Sequence, residues 1–243
     1  MNKNQHKILT DVVFAFIWSF KKGDNIIYNF EILFELYKSR RATKSQYFNK
    51  PIILIIAAIV ECILDDFALR VKQHVNDKIP NIGLSQIIDF RSKKLEKFEH
   101  YIAKAIEFDL FEQPPSFYSD LRLLQHMRNR LHIQNRNYKL DKDEYNIFTD
   151  LNLSRSEKVL KTILLTMYSK FPRQDITEET KKSALDIIEQ MISGNDPKDP
   201  ANLLRTPHPY QGVLESEDCP YCLSGLVKHG EYCPYCGNIC TIP

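Results

Sequence analysis

The segment from Pro51 to Val75, PIILIIAAIVECILDDFALRVKQHV, constrains the fold more than any other stretch of the chain. Its residues Val60, Ile63, Leu64, Phe67, Ala68, Val71 and Val75 recur at helical spacing. Pro51 suits a first helical turn, where a missing backbone N–H is not needed. The first half is apolar all round, so a helix here must be enclosed by other elements. It is expected to be the central buried helix, and Glu61 within it to need a partner for its carboxylate. Cys62 beside it reads as a small apolar residue.

The enclosing elements are also helical. Only three of the seven glycines (Gly23, Gly83, Gly194) precede Gly212, and no strong strand pattern occurs before that point. A first helix is expected from about Ile8 to Phe20, broken at Lys22-Gly23-Asp24 and resuming to about Ser39. A further helix spans about 92–111 and stops before Pro114-Pro115. An arginine-rich helix follows from about Phe117 to Ile133, and then a polar connection over 135–144. Ser154-Arg155-Ser156-Glu157 matches a capping box for a helix reaching about Phe171. A last helix, about Glu178–Ser193, would be closed by Gly194. The fold class is mainly α, a helical bundle over residues 1–194.

Residues 195–212, NDPKDPANLLRTPHPYQG, hold four prolines and little apolar periodicity, the composition of a semi-rigid linker. The tail, 213–243, differs again. It carries CPYC at 219–222 and at 233–236, and five of the six cysteines lie in the last 25 residues. Two such pairs supply four thiolates for one tetrahedral zinc, with Cys219, Cys222, Cys233 and Cys236 as ligands. Gly225 and Gly237 suit tight knuckle turns. Cys240 and His229 are spare candidates. A dithiol redox site would need a strand–helix domain of its own, and a tail this short has no room for two. Four thiolates close the metal, so the zinc is read as structural, in a small zinc ribbon.

Charge is distributed unevenly. The formal net charge is only +2, but the chain from Gly212 onward has four acids against one Lys. Zinc with four thiolates adds about −2 more. Phosphate binding wants the opposite sign, so the ribbon is expected to stabilise or to contact a protein partner. The bundle carries the basic surplus. Both apolar runs, PIILIIAAIV and VVFAFIWSF, are well short of the roughly 20 residues that span a bilayer. The chain is read as cytoplasmic, with no membrane partner.

Residues 122–137, RLLQHMRNRLHIQNRN, contain four arginines, two histidines and no acid. Leu121, Leu124, Leu131 and Asn135 share one helical line, with Arg128 in its middle. Arg128 and His132 are four apart and Asn129 and His132 three apart, so the three can converge. Arg122 and His126 fall on another line. One reading is a solvated basic face whose arginine stems cover apolar surface. The other is a phosphate site, in which a permanent bidentate cation works beside a group that titrates near neutrality. That pairing suits RNA cleavage by the substrate's own 2′-hydroxyl, without a metal.

A helical bundle with a Glu on its central helix (AAIVECILDDF) and a later helix bearing LRxxxxxRNRLH resembles the HEPN superfamily over roughly residues 50–171. In that family an Arg–polar pair precedes a His, and two copies meet across a homodimer to form a metal-independent RNase site. Such proteins often serve as toxins or in antiphage defence. The resemblance implies catalytic roles for Arg128, Asn129 and His132. Three residues separate Arg128 from His132, one fewer than the family's pattern asks. Arg122, Arg130 and Arg136 are the accompanying candidates for RNA contact.

Two functions follow from these readings. One is a HEPN-like RNA-binding protein, acting as an endoribonuclease. The other is a non-catalytic dimeric module whose ribbon recruits a protein. In either, the row of Leu121, Leu124 and Leu131 is expected to be covered by the same helix of a second chain.

Overall fold

The computed structural model describes residues 3–73, 95–130, 144–173 and 177–193, isolated positions between 83 and 91, and strand residues 217–218 and 226–227. The bundle is built from α1 (Lys3–Phe14), α2 (Phe20–Thr43), α3 (Asn49–Gln73), α4 (Phe98–Glu107), α5 (Pro115–Asn129), the short α6 (Glu144–Ile147), α7 (Asp150–Lys170) and α8 (Glu178–Ser193). A 3-10 turn, Gln46–Phe48, leads into α3. No helix among the described residues is long and apolar enough to cross a membrane.

Helix α3 is the axis, as its all-round apolarity predicts. Ile52, Ile53, Ile56, Ala57, Ile59, Val60, Ile63 and Val71 are essentially inaccessible. It packs against α2, α4, α5 and α7. A helix buried over most of its surface must satisfy its buried polar residues internally, and α3, with only Ala58 and Leu69 exposed between its ends, does so at both ends. Asn49, fully buried, donates its side-chain amide to the Phe148 carbonyl and to Asp150 Oδ1 at 3.0 and 2.8 Å. Arg70, also buried, donates to the carbonyls of Phe171 and Pro172 and so holds the end of α7.

The break near the N-terminus lies at 15–19, before the expected Lys22-Gly23-Asp24, and α2 runs straight through Gly23. The physical reason is tertiary. Asp66 of α3, 2% exposed, accepts hydrogen bonds from the backbone N–H groups of Trp18 and Ser19 at 2.7 and 3.1 Å. A carboxylate from another helix thus caps the start of α2. Gly23 serves a different purpose. A Cβ there would lie 2.4 Å from Phe14 Cε1, so the glycine lets α1 approach α2.

Other ends shift for local reasons. α2 continues past Ser39 to Thr43, where Lys44 takes a left-handed conformation (φ 53°) and stops it. α4 ends at Glu107 instead of Phe111, in a turn with Asp109 and Glu112 at positive φ. α5 starts with Pro115 in its first turn and ends at Asn129, four residues before Ile133. α7 begins at Asp150, earlier than the capping-box pattern places it, because Thr149 Oγ1 accepts from the Asn152 N–H at 3.2 Å. Ser154 and Glu157 therefore lie within the helix. α8 has the expected bounds, and Gly194 and the linker 195–212 lie outside the described residues.

The two ends of the bundle meet. α1 packs against both α2 and α8. The Arg173 N–H donates to the Ala15 carbonyl at 2.6 Å, and its guanidinium lies 4.7 Å from the centre of the Trp18 ring. Further along the chain, strands β1 (Glu217–Asp218) and β2 (Leu226–Val227) pair antiparallel, with Glu217 opposite Val227 and Asp218 opposite Leu226.

Candidate functional site

The last two turns of α5 lie against α3, and this contact places Arg128. Leu121 and Leu124 are fully buried and Met127 nearly so, which fixes the rotation of α5 on the bundle. Leu121 and Leu124 are thus covered within one chain, and these two do not call for a second copy; Leu131 lies outside the described residues. That rotation turns Arg128 toward α3 at the edge of the core.

Arg128 Nη2 donates to Glu61, 3.1 Å from Oε1 and 3.0 Å from Oε2. Its Nη1 donates to Asn129 Oδ1 at 3.3 Å. Arg128 retains 46% side-chain exposure and Glu61 24%, so the pair sits at the rim, in contact with water. Two residues that each interrupt an apolar stripe therefore satisfy one another. An open cleft of about 400 Å³ lies beside them, lined also by Phe98, Gln125, Glu96 and Glu99. Glu99 has Lys97 Nζ and His100 Nε2 within 3.8 Å of it. The lining is on balance acidic, with three carboxylates to two cations.

Of the sequence candidates, Arg128 and Asn129 are brought together, whereas His132 and Arg136 lie outside the described residues. Arg122 and Arg130 do not join the cleft. They flank His126 on another side of α5, and burial, followed by the fields of Arg122 and Arg130, lowers the His126 pKa. Arg128 stands about 160° from His126 around the helix axis. Sequence reasoning missed the contributions of the start of α4, Phe98 and Glu99, of Glu96 just before it, and of the buried Gln125. Glu61 and Arg128 were each visible as polar interruptions, but nothing in their spacing joins two helices.

The remaining candidates concern metal. Cys219, Cys222, Cys233 and Cys236 lie outside the described residues, as do Cys240 and His229. Among the described residues no group of His, Cys, Asp and Glu is arranged to hold a metal ion. The β1–β2 ladder does bring together the two ends of the segment that contains Cys219 and Cys222. Cys62 is a free thiol, and burial pushes its pKa up to about 11, as suits a residue used for its apolar volume. Comparison of the chain with known protein families, characterised proteins and solved structures gives no match.

Proposed function

We propose that this chain is a HEPN-like RNA-binding protein that works in toxin or antiphage defence. The observation that carries the reading is the Arg128–Glu61 contact. Glu61 and Arg128 come from the two segments on which the family resemblance rests, and they meet at one cleft. An Arg held by a carboxylate and an adjacent amide is aimed, and an aimed guanidinium suits recognition of phosphate.

In its catalytic form the site is a metal-independent endoribonuclease. The substrate's 2′-oxygen attacks phosphorus, and the bond from phosphorus to the 5′-oxygen breaks. A 2′,3′-cyclic phosphate and a 5′-hydroxyl result. His132 moves the protons, taking one from the 2′-hydroxyl and returning one to the leaving oxygen. Arg128 stabilises charge on the phosphoryl oxygens, and Asn129 steadies Arg128. Two copies of the chain, related by a twofold axis, set two such sites around one groove.

The tail supports this body. Cys219, Cys222, Cys233 and Cys236 hold one structural zinc, whose four thiolates leave no open position for chemistry. The β1–β2 pairing supports this assignment, because a zinc knuckle needs the flanks of its cysteine pair held together.

One observation favours a second reading, a non-catalytic dimeric module whose ribbon contacts a protein. Glu61, Glu96 and Glu99 place carboxylates where a phosphate would have to enter. Incubating the full chain with single-stranded RNA in EDTA decides between them. Cleavage to cyclic-phosphate ends, lost by about 10²–10⁴-fold in His132→Ala and comparably in Arg128→Ala, supports the nuclease. Intact RNA, or His132→Ala cutting as well as the parent, leaves the interaction module.

A further inference from the structure

The outer side of α5 carries a second surface, apart from the Arg128 cleft. Arg122, His126 and Arg130 are four residues apart, so they form one row that drifts by about 40° per step and extends about 12 Å. From Leu121 to Asn129 the helix has no acid. Asp120, just before it, is turned toward Arg155 at 3.7 Å. Arg122 is exposed and makes no ion pair among the described residues, whereas His126 reaches the surface with its ring partly desolvated by its neighbours. The proximity of the three side chains registers electrostatically, since both arginines disfavour the charged form of His126.

At its N-terminal end the row opens onto a cleft of about 360 Å³ between the end of α4 and the start of α5. Ile106, Pro115 and the Tyr118 ring give it an apolar wall, Gln113 and Ser119 supply polar groups, and Arg122 stands at its mouth. One carboxylate is present. Asp109 accepts the Tyr118 hydroxyl at 2.5 Å, which commits it to the wall. The positive φ of Asp109 and Glu112 shapes the turn that forms this side of the cleft.

A largely apolar cleft with a guanidinium at its mouth, continuous with a row of two guanidiniums and an imidazole between them, matches a chain of aromatic rings joined by anions. We infer that this face of α5 is a docking surface for single-stranded RNA, with an unpaired base in the cleft and the adjoining phosphates along Arg122, His126 and Arg130. Bases in a duplex are stacked and paired, and cannot enter such a slot. The inference rests on the RNA-binding reading above and adds to it a binding surface on another side of α5 from the Arg128 cleft.

The test uses the full chain in a His132→Ala background, so that RNA stays intact. Affinity for a fluorescent single-stranded oligoribonucleotide is measured by anisotropy over a range of salt. Arg122→Gln is expected to weaken binding roughly fivefold or more and to reduce the log–log salt slope by about 0.7. Ile106→Glu, which adds a carboxylate to the cleft, weakens single strands while leaving duplex RNA of equal length little changed. In the parent background, Arg122→Gln raises KM and leaves kcat alone. Should Ile106→Glu misfold, Arg122→Gln on its exposed site still decides the question. RNA that binds and is cut equally well in Arg122→Gln overturns this surface and spares the Arg128 site. An acidic peptide that displaces RNA as effectively as a second single strand also overturns it. A chain that binds no RNA overturns both.

Discussion

Tyr37 of α2 donates its hydroxyl to Glu157 Oε1 of α7 at 2.6 Å, across 120 positions of sequence. The tyrosine is 1% exposed, and burial raises the Glu157 carboxyl from its ordinary value of 4.5 to about 7. The hydrogen bond from Tyr37 and the nearby Arg40 oppose that rise without cancelling it. In the folded chain Glu157 therefore holds a proton over a range where the unfolded chain has released it. Its contribution to stability is fully present below the unfolded value and is lost as pH rises through about 7.

Glu157→Gln should flatten that part of the pH–stability curve. An amide still accepts the Tyr37 hydrogen bond and has no charge to desolvate. At pH 8 the variant is expected to exceed the parent by on the order of 2 kcal/mol. At pH 4 the two should nearly coincide. Urea midpoints at the two pH values give the answer, and an equal gap at both would refute the assignment.

Gly23 and Phe14 make a second coupled pair. In the parent, Gly23→Ala sets a methyl against the Phe14 ring and is expected to destabilise by about 1–3 kcal/mol. With Phe14→Ala the obstruction is gone, and the same change should stabilise by about 1 kcal/mol through helix propensity. A double-mutant cycle with no coupling would show that the ring swings aside freely.

Asp66→Ala leaves the Trp18 and Ser19 N–H groups without their acceptor in a part-buried setting. The expected loss is about 2–4 kcal/mol in thermal or urea unfolding. Asp66→Asn, which keeps one acceptor oxygen, should recover part of it. A loss below about 0.5 kcal/mol in Asp66→Ala would mean that water takes over the capping.

Glu61→Gln should change stability by less than about 1 kcal/mol, because the Arg128 pair is half exposed. Its effect on ligands is expected to be larger. Removing a carboxylate that competes with phosphate should tighten RNA binding about fivefold, a shift that high salt erases. Weaker RNA binding in this variant would mean that aiming Arg128 matters more than freeing it.

Elemental analysis should find about one zinc per chain, released when the tail thiols are modified. The helical circular dichroism is expected to survive that treatment. A metal-free chain with the two CPYC pairs oxidised and unchanged folding would rule the site out.

How far the sequence discloses this molecule depends on the range of the forces involved. α3 is legible because all-round apolarity admits only an enclosed helix. The start of α8 is legible because a local contact decides it, Thr177 Oγ1 accepting from the Thr180 N–H at 3.2 Å. Gly23 is misread as a breaker, since its role depends on Phe14 of another helix and not on its neighbours. Ser154 is misread as a cap because Thr149 lies one turn earlier and reaches the Asn152 N–H. Glu61 and Arg128 each stand out as charges on apolar faces, yet their union is a fact of packing. The anomaly was local and its resolution was not.

The meeting of α1 with α8 bears on how the chain is made. α1 leaves the ribosome well before α8, which follows after some 160 residues. At roughly 5–20 residues per second, α1, which has α2 to pack on at once, waits on the order of ten seconds for α8. During that interval the nascent chain offers chaperones the part of α1 that α8 will cover, and stalled translation before Glu178 would strand it in that state.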